Sequence, residues 1–272
     1  MKCCAIFAGF RTRNYNNLGA DILPACPCSA DIQAHTPVNP TNGNFFYTVS
    51  DFTTQGQALT LNFTRYYNSH DSRYAQGIAV DSRLTPRYLA NNPNDYVRFG
   101  NGWRHSYQHE LDMTGAPKGR ITYIEPDGTG HYFFPSQTSN QWTSRTLLSM
   151  IIFQEGGSLG SWRAEQSDGI HYHFDRVGRL TRITQATQSI ILTEMSADYS
   201  EQAGLFIVDP YGRRLELYTG ASGRIESALN TELSRINYQY RGPNLVRVEY
   251  APSTPVLSAN YTYNTVVLLT PY

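Results

Sequence analysis

One unit recurs through the second half of the chain and limits what it can fold into. It consists of an aromatic strand, a Gly-centred turn often followed by Arg, and a second strand of alternating apolar residues. Between Gly169 and Tyr250 its copies run Gly169 to Leu180, Asp209 to Tyr218, Ser222 to Ala228 and Tyr238 to Tyr250, with turn glycines at Gly178, Gly212, Gly223 and Gly242. Glycine takes positive φ without steric cost, and aromatic and β-branched flanks suit a pleated strand. A chain of such units is all-β, an array of antiparallel hairpins. Each leans on its neighbours because none can bury its own face.

Three hairpins can be delimited. Ile121–Ile124 and His131–Phe134 flank Asp127-Gly128; Trp162–Glu165 and His171–Phe174 flank Asp168-Gly169; Leu205–Val208 and Arg214–Tyr218 flank Asp209 to Gly212. Asp127, Asp168 and Asp209 are 41 residues apart twice over. This predicts one continuous antiparallel sheet over residues 118–250, with the three aspartates at successive hairpin tips on one edge. The aromatic stretch from Tyr261 stops at Tyr272 with no capping element, so the repeat region is expected to be truncated and incomplete at the C-terminus.

Upstream, residues 1–36 have no sustained period and read as a poorly ordered leader or linker. Residues 37–117 read as a β-rich opening module, and residues 118–272 as the hairpin repeat region. In the opening module the Asn42-Gly43 turn precedes a strand over Phe45–Phe52. Leu59, Leu61, Phe63 and Tyr67 then alternate with polar residues along a half-buried strand. Residues 68–98 are polar and irregular and predict a long loop. Order resumes at Phe99, where Gly100 and Gly102 permit close approach and Trp103, Tyr107 and Leu111 can anchor the segment.

Composition excludes several classes. The 22 basic and 22 acidic residues cancel, leaving no field to attract nucleic acid. No apolar run is long enough to span a membrane as a helix, and the apolar stretch before Arg11 is too short for a secretory signal. All four cysteines, Cys3, Cys4, Cys26 and Cys28, fall in the leader. Their spacing does not match common zinc sites, leaving free thiols or a disulfide set.

Several side chains invite a chemical reading. His105 and His109 flank Ser106, but no Gly-x-Ser-x-Gly elbow accompanies them, and packing or hydrogen bonding suits them better. His171 and His173 share one strand face without a nameable third ligand, and His131 stands at a comparable place in the preceding hairpin, which favours a repeat position. Asp127, Asp168 and Asp209 have a local task in their turns. Arg179, Arg213, Arg214 and Arg224 follow turn glycines and can pair with carboxylates or stack on Tyr. No cofactor and no metal is expected.

Phe174-Asp175 followed by Gly178-Arg179-Leu180 resembles the repeat of RHS (rearrangement hotspot), or YD-repeat, proteins. Gly223-Arg224-Ile225 and Gly242 to Leu245 are looser copies. Val38 to Asn44, Leu61 to Ser69, Gly100 to Tyr107 and Pro126-Asp127-Gly128 resemble the module that opens these proteins, with Gly43, Gly102, Trp103, His105 and Tyr107 as its anchors. The resemblance implies the start of a sheet spiralling into a hollow shell around a C-terminal toxin or effector payload, in bacterial competition systems and insecticidal complexes. The implied partners are the downstream part of the same protein with its payload, and a secretion-system or toxin-complex component. The implied location is a secreted or delivered effector, or the surface of a bacterium. The payload and the self-cleaving core segment of the family have no counterpart in this sequence.

The expectation is therefore a non-catalytic structural module. A module binding carbohydrate or a partner protein through Tyr/Trp-rich strands is the alternative, and a paired-carboxylate glycosidase the distant third.

Overall fold

The computed structural model describes residues 44–54, 59–69, 99–113, 116, 119–156, 160–195, 204–220, 223–231, 234–251, 257–263 and 269–270. Gly43, the four cysteines and the expected loop, apart from Asn68 and Ser69, lie outside the described residues.

A first sheet joins β1 (Phe46–Thr53), β2 (Asn62–Asn68) and β3 (Trp103–His105) in the order 1-2-3. A second sheet contains fifteen strands in strict chain order. Its first half holds β4 (Glu110–Asp112), β5 (Ile121–Ile124), β6 (Gly130–Pro135), β7 (Gln141–Thr143), β8 (Met150–Gln154), β9 (Trp162–Gln166) and β10 (Ile170–Phe174). Its second half holds β11 (Leu180–Gln185), β12 (Gln188–Met195), β13 (Gly204–Val208), β14 (Arg214–Thr219), β15 (Ile225–Asn230), β16 (Arg235–Arg241), β17 (Asn244–Ala251) and β18 (Leu257–Asn260). A short pair, β19 (Thr262–Tyr263) and β20 (Leu269–Thr270), follows.

All pairings are antiparallel, so the chain is all-β and the three expected hairpins form: β5 with β6, β9 with β10, β13 with β14. Strand direction alternates in such a meander, which puts the Asp127, Asp168 and Asp209 tips at the same end of the strands. They are not successive tips, however. The Asp-to-Asp interval covers four strands, so the β7/β8 and β11/β12 connections come between them at that end.

One face of the large sheet is apolar across its width. Ile152, Ala164, Tyr172, Ile183 and Ile190 form one cross-strand row, and Leu205, Leu217, Ala228, Ile236 and Tyr250 another. Most are buried, and they join the core that includes Leu61, Phe63, Tyr67 and Trp103 of the small sheet. On β2 inward and outward positions alternate as the period of two requires, with Phe63, Arg65 and Tyr67 buried.

The large sheet bends around the small one. Asn68 Nδ2 donates to the Asp127 carbonyl at the β5/β6 tip (3.1 Å), while Arg65 Nη2 donates to Tyr250 Oη on β17 (3.3 Å). Strands β5 and β17 are twelve spacings apart, about 58 Å in a flat sheet. Residues 65 and 68 of one strand lie only about 10 Å apart. Only a curled sheet satisfies both contacts, although its two edges do not pair to close a barrel.

One edge of that sheet is covered from within. The free side of β4 meets the β10/β11 turn, where Leu111 N–H donates to the Gly178 carbonyl (2.9 Å) and Glu110 bridges Arg179. An uncovered strand edge would invite pairing with another chain. Gly178 has φ of +91° and sits so close that an added Cβ would lie 2.0 Å from the Leu111 carbonyl oxygen. Its lack of a side chain makes the contact feasible.

Candidate functional site

The densest polar constellation joins the two sheets. Arg65 occupies an inward position of β2, where alternation calls for an apolar residue, and neither its side chain nor that of Asp51 on β1 has any exposed surface. Nε donates to Asp51 Oδ2 (2.5 Å) and Nη2 to Oδ1 (2.9 Å), a bidentate fork. Tyr238 Oη and Tyr250 Oη also donate to this carboxylate, at 3.0 and 2.9 Å. The guanidinium carbon lies 5.2 Å from the Trp103 ring centre, 5.5 Å from Tyr238 and 6.0 Å from both Phe99 and Tyr261. Burial alone would lower the Arg65 pKa, but the Asp51 carboxylate outweighs it and holds the group charged. Burial drives the Tyr238 and Tyr250 hydroxyls upward, so both stay protonated donors.

This cage is a clamp. Asp51, Arg65 and Trp103 come from the small sheet; Tyr238, Tyr250 and Tyr261 come from β16, β17 and the residue after β18. Close by, Trp103 Nε1 donates to Tyr263 Oη (3.0 Å), and Tyr263 Oη donates to the Leu245 carbonyl (2.6 Å). Asn101 N–H donates to the Pro243 carbonyl at the β16/β17 tip (2.9 Å). Arg65 was not singled out in the sequence, although an Arg in phase with Leu59, Leu61, Phe63 and Tyr67 was a legible signal.

A second buried cluster lies under β5 and β10. His109 Nδ1 is 2.7 Å from Tyr123 Oη, and its ring lies 4.4 Å from that of Tyr172. Arg104 pairs with Glu110 at 3.0 Å, both side chains buried. Burial, then the nearby Arg104 and His105, push His109 down to about 3. It is neutral over the physiological range and spends its nitrogen on Tyr123.

The other opening-module residues are also packed. Trp103, His105 and Tyr107 are buried, with Tyr107 Oη accepting the Asn62 N–H. Gly102 has φ of +73°, and a Cβ there would meet the Tyr67 ring at 2.7 Å. Ser106 Oγ donates to the Asn62 carbonyl rather than to either histidine.

The turn aspartates correct the register read from sequence. Asp127 and Asp168 stand immediately before their glycines and accept from the amides of Thr129 (2.7 Å) and Ile170 (3.0 Å). Asp209 stands three residues before Gly212. Its Oδ1 accepts the Tyr211 and Arg213 amides and its Oδ2 the Arg213 Nε. Asp175 repeats that arrangement with Val177, Arg179 and Gly178. Asp209 therefore corresponds to Asp175, and its 41-residue interval from Asp168 joins two different turn positions. Each of these carboxylates is engaged within its own turn. In the looser copies, Arg224 Nη1 donates to the Gly242 carbonyl, linking two tips, while Arg214 is exposed.

The histidines need the same correction. Counted from the turn glycine, His131 corresponds to Tyr172, and it is buried. His171 and His173 lie on the opposite face of their strand, where burial, then Arg182, lowers His173 to about 4. Among the described residues no three His, Cys, Asp or Glu side chains gather in metal-binding geometry. No described helix is long and apolar enough to cross a membrane.

No curated protein matches the chain. A family model described as a domain of unknown function (DUF6531) matches residues 35–133, a span that covers the small sheet, β4, β5 and the beginning of β6.

Proposed function

We propose that this chain is a structural module that begins an RHS-type β shell, with the small sheet seated inside the first turn of the shell wall. The supporting observation is the clamp at Arg65, which ties β1 and β2 to β16 and β17 across more than 180 residues. A domain of the matched kind is often found in such proteins, and the ordered resemblance over residues 37 to 265 agrees with it. On this reading the wall would close one end of a container, and the enclosed toxin or effector would come from the downstream part of the same protein. Delivery through a secretion system or toxin complex belongs to the same proposal.

The surface-binding alternative has less to draw on. Among the described residues the exposed aromatics Tyr47, Phe134 and Tyr211 sit at three separate places, on β1, on β6 and in the β13/β14 turn, rather than in a row. Limited proteolysis of the whole gene product tests the shell reading. The segment following residue 272 should resist protease in the intact protein and become sensitive once the wall is unfolded. A downstream segment cleaved freely while the wall stays folded would overturn the proposal.

A further inference from the structure

Of the 22 basic residues, 20 are arginine and two, Lys2 and Lys118, are lysine. The fold accounts for part of this bias. Arg65 uses the guanidinium fork in a buried pair; Arg104 Nη2 reaches both the Gln108 carbonyl and Glu110; Arg179 and Arg213 use Nε within their turns; Arg120, Arg163 and Arg224 lie over rings. A point-charge ammonium could not substitute at those places.

Arg247 pairs with Glu249 and Arg182 reaches His173, while Arg11, Arg13, Arg73, Arg83, Arg87 and Arg98 lie outside the described residues, which leaves five. Arg145, Arg176, Arg214, Arg235 and Arg241 are exposed, and among the described residues no ion pair or ring contact engages their guanidinium groups. At such exposed positions lysine would serve equally well, since the charge lies in water. Nucleotide bias does not account for it either. Asparagine, whose codons differ from those of lysine only in the third base, occurs 18 times. An exposed strand edge is ordinarily guarded by lysine, yet none stands among the described residues.

What separates the two residues at a solvated position is nucleophilic chemistry. The ε-amine accepts acyl groups and modifier proteins; the guanidinium, protonated throughout, does not. We propose that lysine is excluded because the chain works where amine-directed conjugation would mark it for destruction, which is the cytosol of a eukaryotic cell. In that reaction lysine Nζ attacks the thioester carbon joining a modifier's C-terminus to a carrier cysteine. An isopeptide bond forms, the cysteine thiol leaves, and the amine gives up a proton. Removing the amines removes the acceptor. This inference names the class of target cell and rests on the proposal that the chain is delivered.

The test places the full chain in a eukaryotic cytosolic extract with ubiquitin and ATP. It is compared with a variant carrying Arg→Lys at 145, 176, 214, 235 and 241, and with a Lys2→Arg/Lys118→Arg variant. The five-lysine variant should keep the thermal midpoint of the parent, acquire conjugates, and lose several-fold in half-life. The lysine-free variant should carry fewest. Equal conjugation and half-life in parent and five-lysine variant overturn the inference, as does a parent already heavily conjugated. The extract reports nothing on payload protection, so failure here and failure of the shell reading are separable.

Discussion

Asp51 and Arg65 form a bidentate ion pair with Nε–Oδ2 and Nη2–Oδ1 distances of 2.5 and 2.9 Å, and neither side chain reaches solvent. Removing either charge strands the other in the core, at a cost of about 3–5 kcal/mol. Asp51→Asn and Arg65→Met should each lower the urea midpoint accordingly. Combining Arg65→Met with Asp51→Leu should recover part of the loss, because an apolar pair needs no desolvated charges while the Tyr238 and Tyr250 hydroxyls lose their acceptor. Additive losses in the double variant would show that the pair is not coupled.

Gly178 and Gly212 both have positive φ, at +91° and +78°, but only Gly178 is crowded by a neighbouring backbone. Gly212→Ala should cost about 1–2 kcal/mol, the ordinary penalty for a left-handed L-residue. Gly178→Ala adds a collision with the Leu111 carbonyl and should cost distinctly more, releasing the β4 edge. Equal thermal midpoints for the two variants would refute the edge-cover role.

Asp209 and Asp168 look alike in sequence but differ in what they hold. Asp209 binds two backbone amides and Arg213 and is buried; Asp168 binds one amide and is exposed. Asp209→Ala should cost about 1–3 kcal/mol, because it removes two backbone hydrogen bonds and a charge-assisted one from Arg213. Asp168→Ala should stay near about 0.5 kcal/mol. Denaturation of the two variants side by side checks the order.

The pH dependence follows from His109. Its folded pKa of about 3 lies below the unfolded value of 6.5, so between these limits the unfolded chain binds more protons. Stability is therefore complete above pH 6.5 and falls as the pH drops toward 3, by up to about 1.4 kcal/mol per unit. His173, lowered to about 4, acts in the same direction. Asp127, raised by burial, acts in the opposite direction near its own range. His109→Phe should flatten the loss between pH 6 and 4; an unchanged slope would contradict a buried neutral imidazole.

The all-β class and the hairpins were legible because turn glycines and period-two alternation are local signals. The turn register was only half legible. Asp127, Asp168 and Asp209 are equally spaced and their turns are equally long, each closed by the glycine amide bonding the carbonyl three residues before it, but Asp209 and Asp175 hold the first turn position and Asp127 and Asp168 the third, a difference that only hydrogen bonding reveals. His131 was set beside His171 and His173, although the count from the turn glycine matches it to Tyr172, and an offset of one residue exchanges faces. Of the clamp, only Arg65 in phase with the apolar residues of its strand was legible, and its partners were not. Arg65 meets Tyr238, Tyr250 and Tyr261 through long-range closure of the sheet, and nothing in a linear string places residues so far apart beside one another.

Hydrogen exchange on the Asp51→Asn variant tests most directly whether the wall is locked onto the seated module. The account expects amides of β1, β2 and β16 to β18 to lose protection together, while those of β8 to β10 keep theirs. Loss confined to β1 and β2, with β16 to β18 as protected as in the parent, would contradict it.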